Sequence, residues 1–168
     1  IPYVGCGVAA SANTMDKSLT KKVVEGTGVR QARYYLALAC DFACNPEGVV
    51  RTAAEQLGSF PVFVKPCSQG SSVGVAKATN MTELAEGLTE AFKMDSKVLV
   101  EEFIDGHEVE CAVLGNERPQ ASTVGEIAPT QEFYTFDAKY KDESSRLYIP
   151  AHITPEQLET VRQDALRV

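Results

Sequence analysis

A lysine and a short polar loop follow one another in the middle of the chain. Lys65 lies near the end of the apolar segment 61–66, and the sequence Gly-Ser-Ser-Val-Gly occupies 70–74. A lysine offers a compact positive charge, and a loop of small residues presents backbone N–H groups and hydroxyls without obstruction. Together they could hold a polyphosphate. The loop residues that could take part are Gly70, Ser71, Ser72 and Gly74.

This loop differs from the two common phosphate-binding motifs. It lies between two predicted strands, whereas a Walker loop joins a strand to a helix and contains Gly-Lys-Ser/Thr. A Gly-x-Gly-x-x-Gly sequence before a helix is also absent. Because glycine and serine favour turns in general, a loop of this kind taken alone is more often a simple turn.

A second polar segment ends the predicted strand 97–103. Its residues are Glu101, Glu102, Phe103 and Ile104. Two carboxylates at a strand end could meet the amino group of adenine, and the apolar side chains beside them could pack on its flat face. Glu108, past the next turn, could accept hydrogen bonds from ribose hydroxyls. The alternative is a solvated acidic strand end, and Lys17, near a helix start, is by itself equally compatible with a surface charge.

The composition excludes several classes of protein. The chain has 168 residues, 44% of them hydrophobic and 23% charged, with a formal net charge of −7. An acidic chain has no basic surplus for displacing counterions from nucleic acid, so we expect no nucleic-acid partner. No apolar run approaches the roughly 20 residues of a membrane-spanning helix, and no signal segment is recognisable. The five cysteines form no C-x-x-C pair, so we expect reduced thiols in a cytoplasmic protein.

Capping signals and periodicity predict the elements around these segments. Asn45 and Pro46 start a helix that ends at Gly58, and Asn80 with Glu83 starts another. The residues expected to face inward are Val49, Val50, Ala53 and Leu57, then Leu84, Leu88 and Phe92. Further helices are expected over 14–25 and from 155 onward, and strands over 34–40, 61–66, 97–103, 108–114 and 123–127. The strands 97–103 and 108–114 should be joined by a turn at 105–106. The mixture predicts an α+β or α/β protein.

Residues 129–150 interrupt this pattern with five aromatic residues among charged ones. A loop of this length is usually functional or disordered, and the aromatic residues argue against disorder. We therefore expect a lid that folds over a ligand. Near the C-terminus, Thr154 and Gln157 form a capping box, but no stop signal follows. A truncated helix is expected there, with a frayed end as the alternative.

Five blocks of the sequence resemble the D-alanine–D-alanine ligases, a family of ATP-grasp enzymes. They are Met15-Asp16-Lys17, Val64-Lys65-Pro66, Gly70-Ser71-Ser72-Val73-Gly74, the segment 101–108 and Asp137-Ala138-Lys139-Tyr140. Five blocks in the right order are far more specific than any one of them. The resemblance covers essentially the whole chain and implies an α+β, ATP-grasp fold. It assigns 1–13 to the end of an N-terminal domain, 14–96 to the central subdomain, and 97–168, with the lid 129–150, to the start of the C-terminal subdomain.

The resemblance also implies which residues contact ATP. Lys17 and Lys65 match lysines that contact its phosphates, and the loop 70–74 matches the loop that closes over them. Glu101 matches the acceptor for the adenine amino group, and Glu108 matches the carboxylate that binds the ribose. Phe103 and Ile104, next to Glu102, match the segment that lines the adenine pocket.

The implied catalytic residues involve the lid. Ser71 matches a serine that is linked to the lid tyrosine, matching Tyr140, and to an N-terminal glutamate. Lys139 matches the lid lysine near the transferred phosphate. Phosphate passes from ATP to the carboxylate of one D-alanine, and the amine of a second D-alanine then attacks the acyl phosphate. The product would be D-alanyl-D-alanine for peptidoglycan precursors, made by a cytoplasmic enzyme that is a homodimer by the same resemblance.

Several parts that the family needs are expected outside this sequence. The glutamate that holds the first substrate should precede Ile1. The arginine of the oxyanion site and the ligands of Mg²⁺ (or Mn²⁺) should follow Val168. We therefore expect the chain by itself to be catalytically incomplete, with no metal ligands of its own.

Four alternatives stay open. Related resistance ligases use D-lactate or D-serine as the second substrate; the pair Lys139-Tyr140 resembles the dipeptide-forming branch, and D-serine is harder to exclude than D-lactate. Another ATP-grasp ligase would act on a different carboxylate. A non-catalytic module would bind ATP without turnover, and a plain structural fragment would bind no nucleotide.

Overall fold

The structure, a computed structural model, describes residues 1–128 and 146–168. The chain divides into two compact units, one made of Ile1–Gly26 and Arg30–Ile104, the other of Thr27–Val29 and Asp105–Val168. The assignment of 1–13, 14–96 and 97–168 to three domains stays a prediction.

A four-stranded antiparallel sheet forms the centre of the first unit. Its strands are β1 (Tyr34–Leu38), β2 (Val62–Pro66), β3 (Ala76–Ala78) and β4 (Lys97–Glu102), in the spatial order β1-β4-β2-β3. In the pairing of β2 with β4, Phe63 lies opposite Glu101 and Lys65 lies opposite Leu99. This register places the end of one predicted polar segment beside the other.

Five helices accompany this sheet: α1 (Val8–Met15), α2 (Lys17–Glu25), α3 (Ala39–Cys44), α4 (Pro46–Leu57) and α5 (Met81–Ala91). The predicted caps are confirmed. Asn45 accepts a hydrogen bond from the amide of Gly48 at 3.0 Å, and Asn80 accepts one from the amide of Glu83 at 3.0 Å. Gly58, with φ +76°, ends α4 in the left-handed region that glycine adopts without strain.

One face of the sheet packs on α4 and α5, and the predicted inward residues of these helices are confirmed. The buried cluster includes Val49, Val50, Ala53 and Leu57 of α4, Leu84 and Leu88 of α5, and Val62, Val64, Val98 and Val100 of the strands, with Phe92 partly buried against it. Because side chains alternate along a strand, burial of Val62 and Val64 turns Phe63 and Lys65 to the opposite face.

The start of the chain differs from expectation. Helix α2 begins at Lys17, not at 14, because Asp16 is its N-cap, and the preceding α1 was not predicted. The apolar stripe at Met15, Leu19 and Val23 is exposed, whereas Val24 is buried. The strand predicted over 34–40 ends at 38, where α3 follows.

The second unit has a sheet of its own, with β5 (Glu108–Leu114), β6 (Gln120–Ala128) and β7 (Arg146–Tyr148) in that antiparallel order, and the helix α6 (Pro155–Arg167). The capping box at Thr154 and Gln157 is confirmed. The strands flanking the predicted turn at 105–106 do not form a hairpin, since β4 pairs with β1 and β2, and β5 pairs with β6.

The predicted lid, 129–150, lies mostly outside the described residues; of its range, 146–148 form β7. Among the helices of residues 1–128 and 146–168, none combines the length and the apolar character that a membrane crossing requires.

Candidate functional site

A buried carboxylate with two lysine partners lies on the face of the first sheet that is turned away from α4 and α5. Glu101 of β4 pairs through Oε1 with the Lys21 ammonium at 2.7 Å and through Oε2 with the Lys65 ammonium. The Glu101 side chain is 9% exposed. Burial alone would raise the pKa of Glu101, but the Lys65 charge and the hydrogen bonds from both lysines hold this pKa below its ordinary value. Glu101 is therefore an ionised acceptor.

Lys17, the first residue of α2, fastens the segment that follows β2. Its backbone amide donates to the carbonyl oxygen of Cys67 at 3.0 Å. Its ammonium donates to the carbonyl oxygens of Pro66 at 3.1 Å, Cys67 at 3.4 Å and Gln69. Burial lowers the pKa of Lys17, and the nearby charge of Lys65 lowers it further. The structure thus brings the two predicted phosphate-binding lysines near each other at the start of the polar loop.

Asp16 holds the N-terminus of α2 in this place. Its Oδ1 accepts hydrogen bonds from the amide of Ser18 at 2.9 Å, the hydroxyl of Ser18 at 2.6 Å and the amide of Leu19 at 3.2 Å. Its Oδ2 pairs with the Lys97 ammonium. Burial opposes ionisation of Asp16, but these bonds, led by that of Lys97, lower its pKa to about 2.

The loop 70–74 is a tight turn built on unusual backbone angles. Ser71 and Ser72 have φ values of 51° and 60°, and Gly74 has φ +71°. A Cβ on Gly74 would lie 2.5 Å from Sδ of Met94 and 2.9 Å from Cγ of Pro66. Glycine at 74 is therefore favoured both by the backbone angle and by the close approach of its neighbours.

An aromatic pair extends the same face of the sheet. The rings of Phe63 and Phe103 lie 6.0 Å apart and are tilted by 39°, and the Lys77 ammonium lies 5.0 Å from the centre of the Phe103 ring. Ile104, also predicted for the adenine pocket, is 64% exposed. An apolar surface of this kind beside Glu101 suits a flat heterocycle that carries an amino group.

The predicted residue Glu102 does not join this cluster. Strand alternation points Glu102 away from Glu101, and its carboxylate accepts from the backbone amide and Nε of Arg33 at 2.7 Å and 2.6 Å. Glu108 is the exposed first residue of β5 in the second unit. Lys139 and Tyr140 lie outside the described residues, so their predicted partnership with Ser71 stays a prediction.

Three side chains of this site escaped the sequence analysis: Lys21, Phe63 and Lys77. Lys21 follows Lys17 by four residues, a spacing that places both on one face of a helix, and this signal could have revealed it. Phe63 could have been found from the alternation in 61–66, because it shares a face with Lys65.

The second unit has a polar cluster of its own around Glu126, which is buried in β6. Its Oε1 lies 2.6 Å from Nδ1 of His107, and its Oε2 accepts from the amide of His152 at 2.8 Å. The hydrogen bond with His107 lowers the pKa of Glu126, and that from His152 lowers it further.

The first cluster suits a polyanion with an attached amino-bearing ring. Lys17 and Lys65 supply positive charge at the start of a loop of small residues, and Glu101 supplies an acceptor beside aromatic side chains. Across residues 1–128 and 146–168, no three His, Cys, Asp or Glu residues are grouped as metal ligands.

The fold is of the α+β class. Residues 23–168 match the family model described as "D-ala D-ala ligase C-terminus". The chain belongs to the D-alanine–D-alanine ligase family, and the recognition made from the five sequence blocks is confirmed.

The comparison with individual relatives agrees. The chain is 49% identical over 168 residues to the D-alanine–D-alanine ligase of Clostridium novyi, covering 100% of this chain and 49% of the relative. It is 52% identical over 167 residues to the enzyme of the same name from Acetivibrio thermocellus, covering 99% and 44%. The solved structure of the VanG D-Ala:D-Ser ligase from Enterococcus faecalis matches with a TM-score of 0.83 at 34% identity, covering 99% of this chain and 47% of that chain.

These matches confirm the predicted α+β, ATP-grasp fold. They also show that the chain spans about half the length of the curated relatives it matches.

Proposed function

We propose that this chain is the nucleotide-binding part of an ATP-dependent ligase that joins two D-alanines for peptidoglycan precursors. The observation that carries the proposal is the 49% identity, over all 168 residues, to a protein named D-alanine–D-alanine ligase. The arrangement of Lys17, Lys65 and Glu101 supports it, because it suits ATP.

In this proposal each side chain near the sheet has one task. Lys17 and Lys65 bind phosphates, and the backbone of 70–74 covers them. Glu101 accepts a hydrogen bond from the adenine amino group beside Phe103 and Ile104. Glu102 belongs to the same adenine-binding segment, between Glu101 and Phe103. Glu108 binds the ribose.

The proposed chemistry has two steps. A carboxylate oxygen of the first D-alanine attacks the γ-phosphorus of ATP, giving an acyl phosphate and ADP. The amine of the second D-alanine then attacks the acyl carbon, and inorganic phosphate leaves after a proton is lost from the nitrogen. Lys65 and Lys139 offset negative charge, and Ser71 with Tyr140 holds the loop and lid closed over the site. Magnesium, whose proposed ligands lie beyond Val168, would supply further charge neutralisation when bound.

The intact protein that contains this chain provides the test. Incubated with ATP and D-alanine, it should release phosphate and form D-alanyl-D-alanine in equal amounts. ATP binding without turnover would favour a non-catalytic module, and turnover only with another carboxylate would favour a different ATP-grasp ligase. The absence of any ATP-dependent thermal shift would favour a structural fragment.

D-serine as second substrate is a specific alternative, because the VanG D-Ala:D-Ser ligase matches the chain at a TM-score of 0.83. The higher identity to proteins named D-alanine–D-alanine ligase favours D-alanine. A competition assay with equal D-alanine, D-serine and D-lactate decides this by the proportions of D-alanyl-D-alanine, D-alanyl-D-serine and D-alanyl-D-lactate among the products. A cytoplasmic location and a homodimer are part of the proposal, and light scattering of the intact protein tests the latter.

A further inference from the structure

Lys21 occupies a position that the proposed ATP contacts leave unexplained. We propose that Lys21 is a positioning residue that keeps Glu101 ionised and oriented for adenine while Lys65 turns from Glu101 to the phosphates. This inference rests on the proposed function, because it concerns the same nucleotide site.

The two lysine partners of Glu101 are held very differently. The Lys21 ammonium contacts Glu101 at 2.7 Å, donates to the carbonyl oxygen of Ala32 at 3.3 Å and lies 5.0 Å from the centre of the Tyr34 ring. Its side chain is 13% exposed. The geometry therefore makes Lys21 the fixed partner of Glu101.

Lys65 is the exchangeable partner. Its side chain is 30% exposed, and beyond Glu101 its ammonium lies 5.5 Å from the centre of the Phe63 ring. A triphosphate carries more negative charge than one carboxylate, so it competes effectively for a lysine that solvent already reaches. Lys65 can leave Glu101 by side-chain rotation, with no change in the backbone of β2.

The departure of Lys65 creates the need for Lys21. A buried carboxylate that loses one counter-charge takes up a proton unless another cation stays beside it. Lys21 remains on Oε1 and supplies that charge, with Lys17 adding a further positive charge nearby. The oxygen that Lys65 vacates, Oε2, is then available to accept a hydrogen bond.

An ionised carboxylate sets the choice of purine. It accepts hydrogen bonds and donates none, so it pairs with a 6-amino group and is repelled by a 6-oxo group. A protonated Glu101 could donate to the 6-oxo group instead. Without Lys21, the site should therefore bind ATP less tightly and discriminate less between ATP and ITP.

The experiment measures the dissociation constants of ATP and ITP, by calorimetry, in the intact protein and its variants. Lys21→Met is expected to weaken ATP binding about tenfold or more and to lower the ratio of the ITP to the ATP constant. Lys21→Arg should restore the ratio. The matched control is Lys22→Met, which removes the same charge from the same helix at a side chain that is 65% exposed and paired with Glu25; both constants should stay unchanged.

A double-mutant cycle keeps the inference testable if Lys21→Met folds poorly. In a Glu101→Gln background there is no carboxylate to keep ionised, so adding Lys21→Met should change ATP affinity less than twofold. An equal loss of affinity in both backgrounds would overturn the inference, as would an unchanged ratio in a folded Lys21→Met variant. At saturating ATP, kcat of Lys21→Met should stay near that of the parent while KM for ATP rises.

The two failures are distinguishable. If the unaltered protein binds neither ATP nor ITP, the proposed function fails, and the inference with it. If the unaltered protein binds ATP and forms dipeptide, but Lys21→Met retains both affinity and selectivity, only the role of Lys21 is overturned.

Discussion

Lys17 donates twice to the carbonyl oxygen of Cys67, from its backbone amide at 3.0 Å and from its ammonium at 3.4 Å. The two bonds join the first residue of α2 to the residue that follows β2. The polar loop therefore starts from a fixed point rather than from a free strand end. This fixed start makes single substitutions in the loop and its neighbourhood informative.

Gly74→Ala should destabilise the protein by about 1–2 kcal/mol. The added Cβ would meet Met94 and Pro66, and alanine is strained at φ +71°. Gly70→Ala is the matched control, because a Cβ at Gly70 meets nothing within 4 Å. Urea unfolding of both variants gives the two free energies. Equal losses would show that the crowding at Gly74 is relieved without cost.

Lys65→Met should weaken ATP binding by about ten- to a hundredfold, because a charged hydrogen-bond donor to phosphate is lost. Dipeptide formation should fall as well. Lys93→Met serves as control, since Lys93 is 63% exposed and pairs with Glu90 on the surface of the same unit. Unchanged affinity and dipeptide output in Lys65→Met would contradict the phosphate role of this lysine.

Asp16→Asn should lose stability in a pH-dependent way. The pKa of Asp16 is about 2, against an ordinary 3.8, so the ionised form stabilises the folded state. That stabilisation is complete above pH of about 4 and is lost as the pH falls toward about 2. The difference in unfolding free energy between the parent and Asp16→Asn should therefore close over this range.

Denaturant titrations at several pH values measure this difference. Lys97→Met removes the partner of Asp16 and should lose a stability increment over the same range. A difference that is constant with pH would show that the side chain acts as a helix cap alone.

Leu88→Ala should cost about 2–5 kcal/mol, because the Leu88 side chain is fully buried in the core between α5 and the sheet. Met81→Ala, at the exposed start of the same helix, should cost about 0.5 kcal/mol or less. The midpoints of urea unfolding compare the two. A small effect of Leu88→Ala would mean that the measured urea transition does not include unfolding of this core.

The local signals in the sequence were sufficient for elements with strong caps. Asn45, Gly58 and Asn80 marked helix ends because a single side chain or backbone angle satisfies groups that the helix leaves unpaired. Helix α1 escaped prediction because Val8–Met15 has no side-chain cap hydrogen bond and buries none of its residues.

Pairings between distant segments were not predictable in the same way. The dipeptide at 105–106 is typical of a hairpin turn, but the partner of β4 is decided by the core that β1, β2, α4 and α5 build together. Likewise, Glu102 and Arg33 are 69 positions apart, so no local pattern indicates that this carboxylate is already engaged.

The site was predictable to the extent that residue type reveals chemistry. The strand-end lysine and the following glycines and serines pointed to a polyphosphate. The contact of Lys65 with Glu101 did not follow from the sequence, because it depends on how β2 and β4 pair. Lys65 lies opposite Leu99, and its side chain reaches Glu101, two residues further along β4.

Cys67, whose carbonyl oxygen accepts both hydrogen bonds from Lys17, is fully buried. The other cysteines are more accessible: Cys6, Cys40 and Cys44 are exposed, and Cys111 is partly exposed. Burial raises the pKa of the Cys67 thiol, which makes it slow to react as well as hard to reach. The rate at which Cys67 is alkylated, measured after the other thiols have reacted, therefore reports how often the junction between β2 and α2 opens.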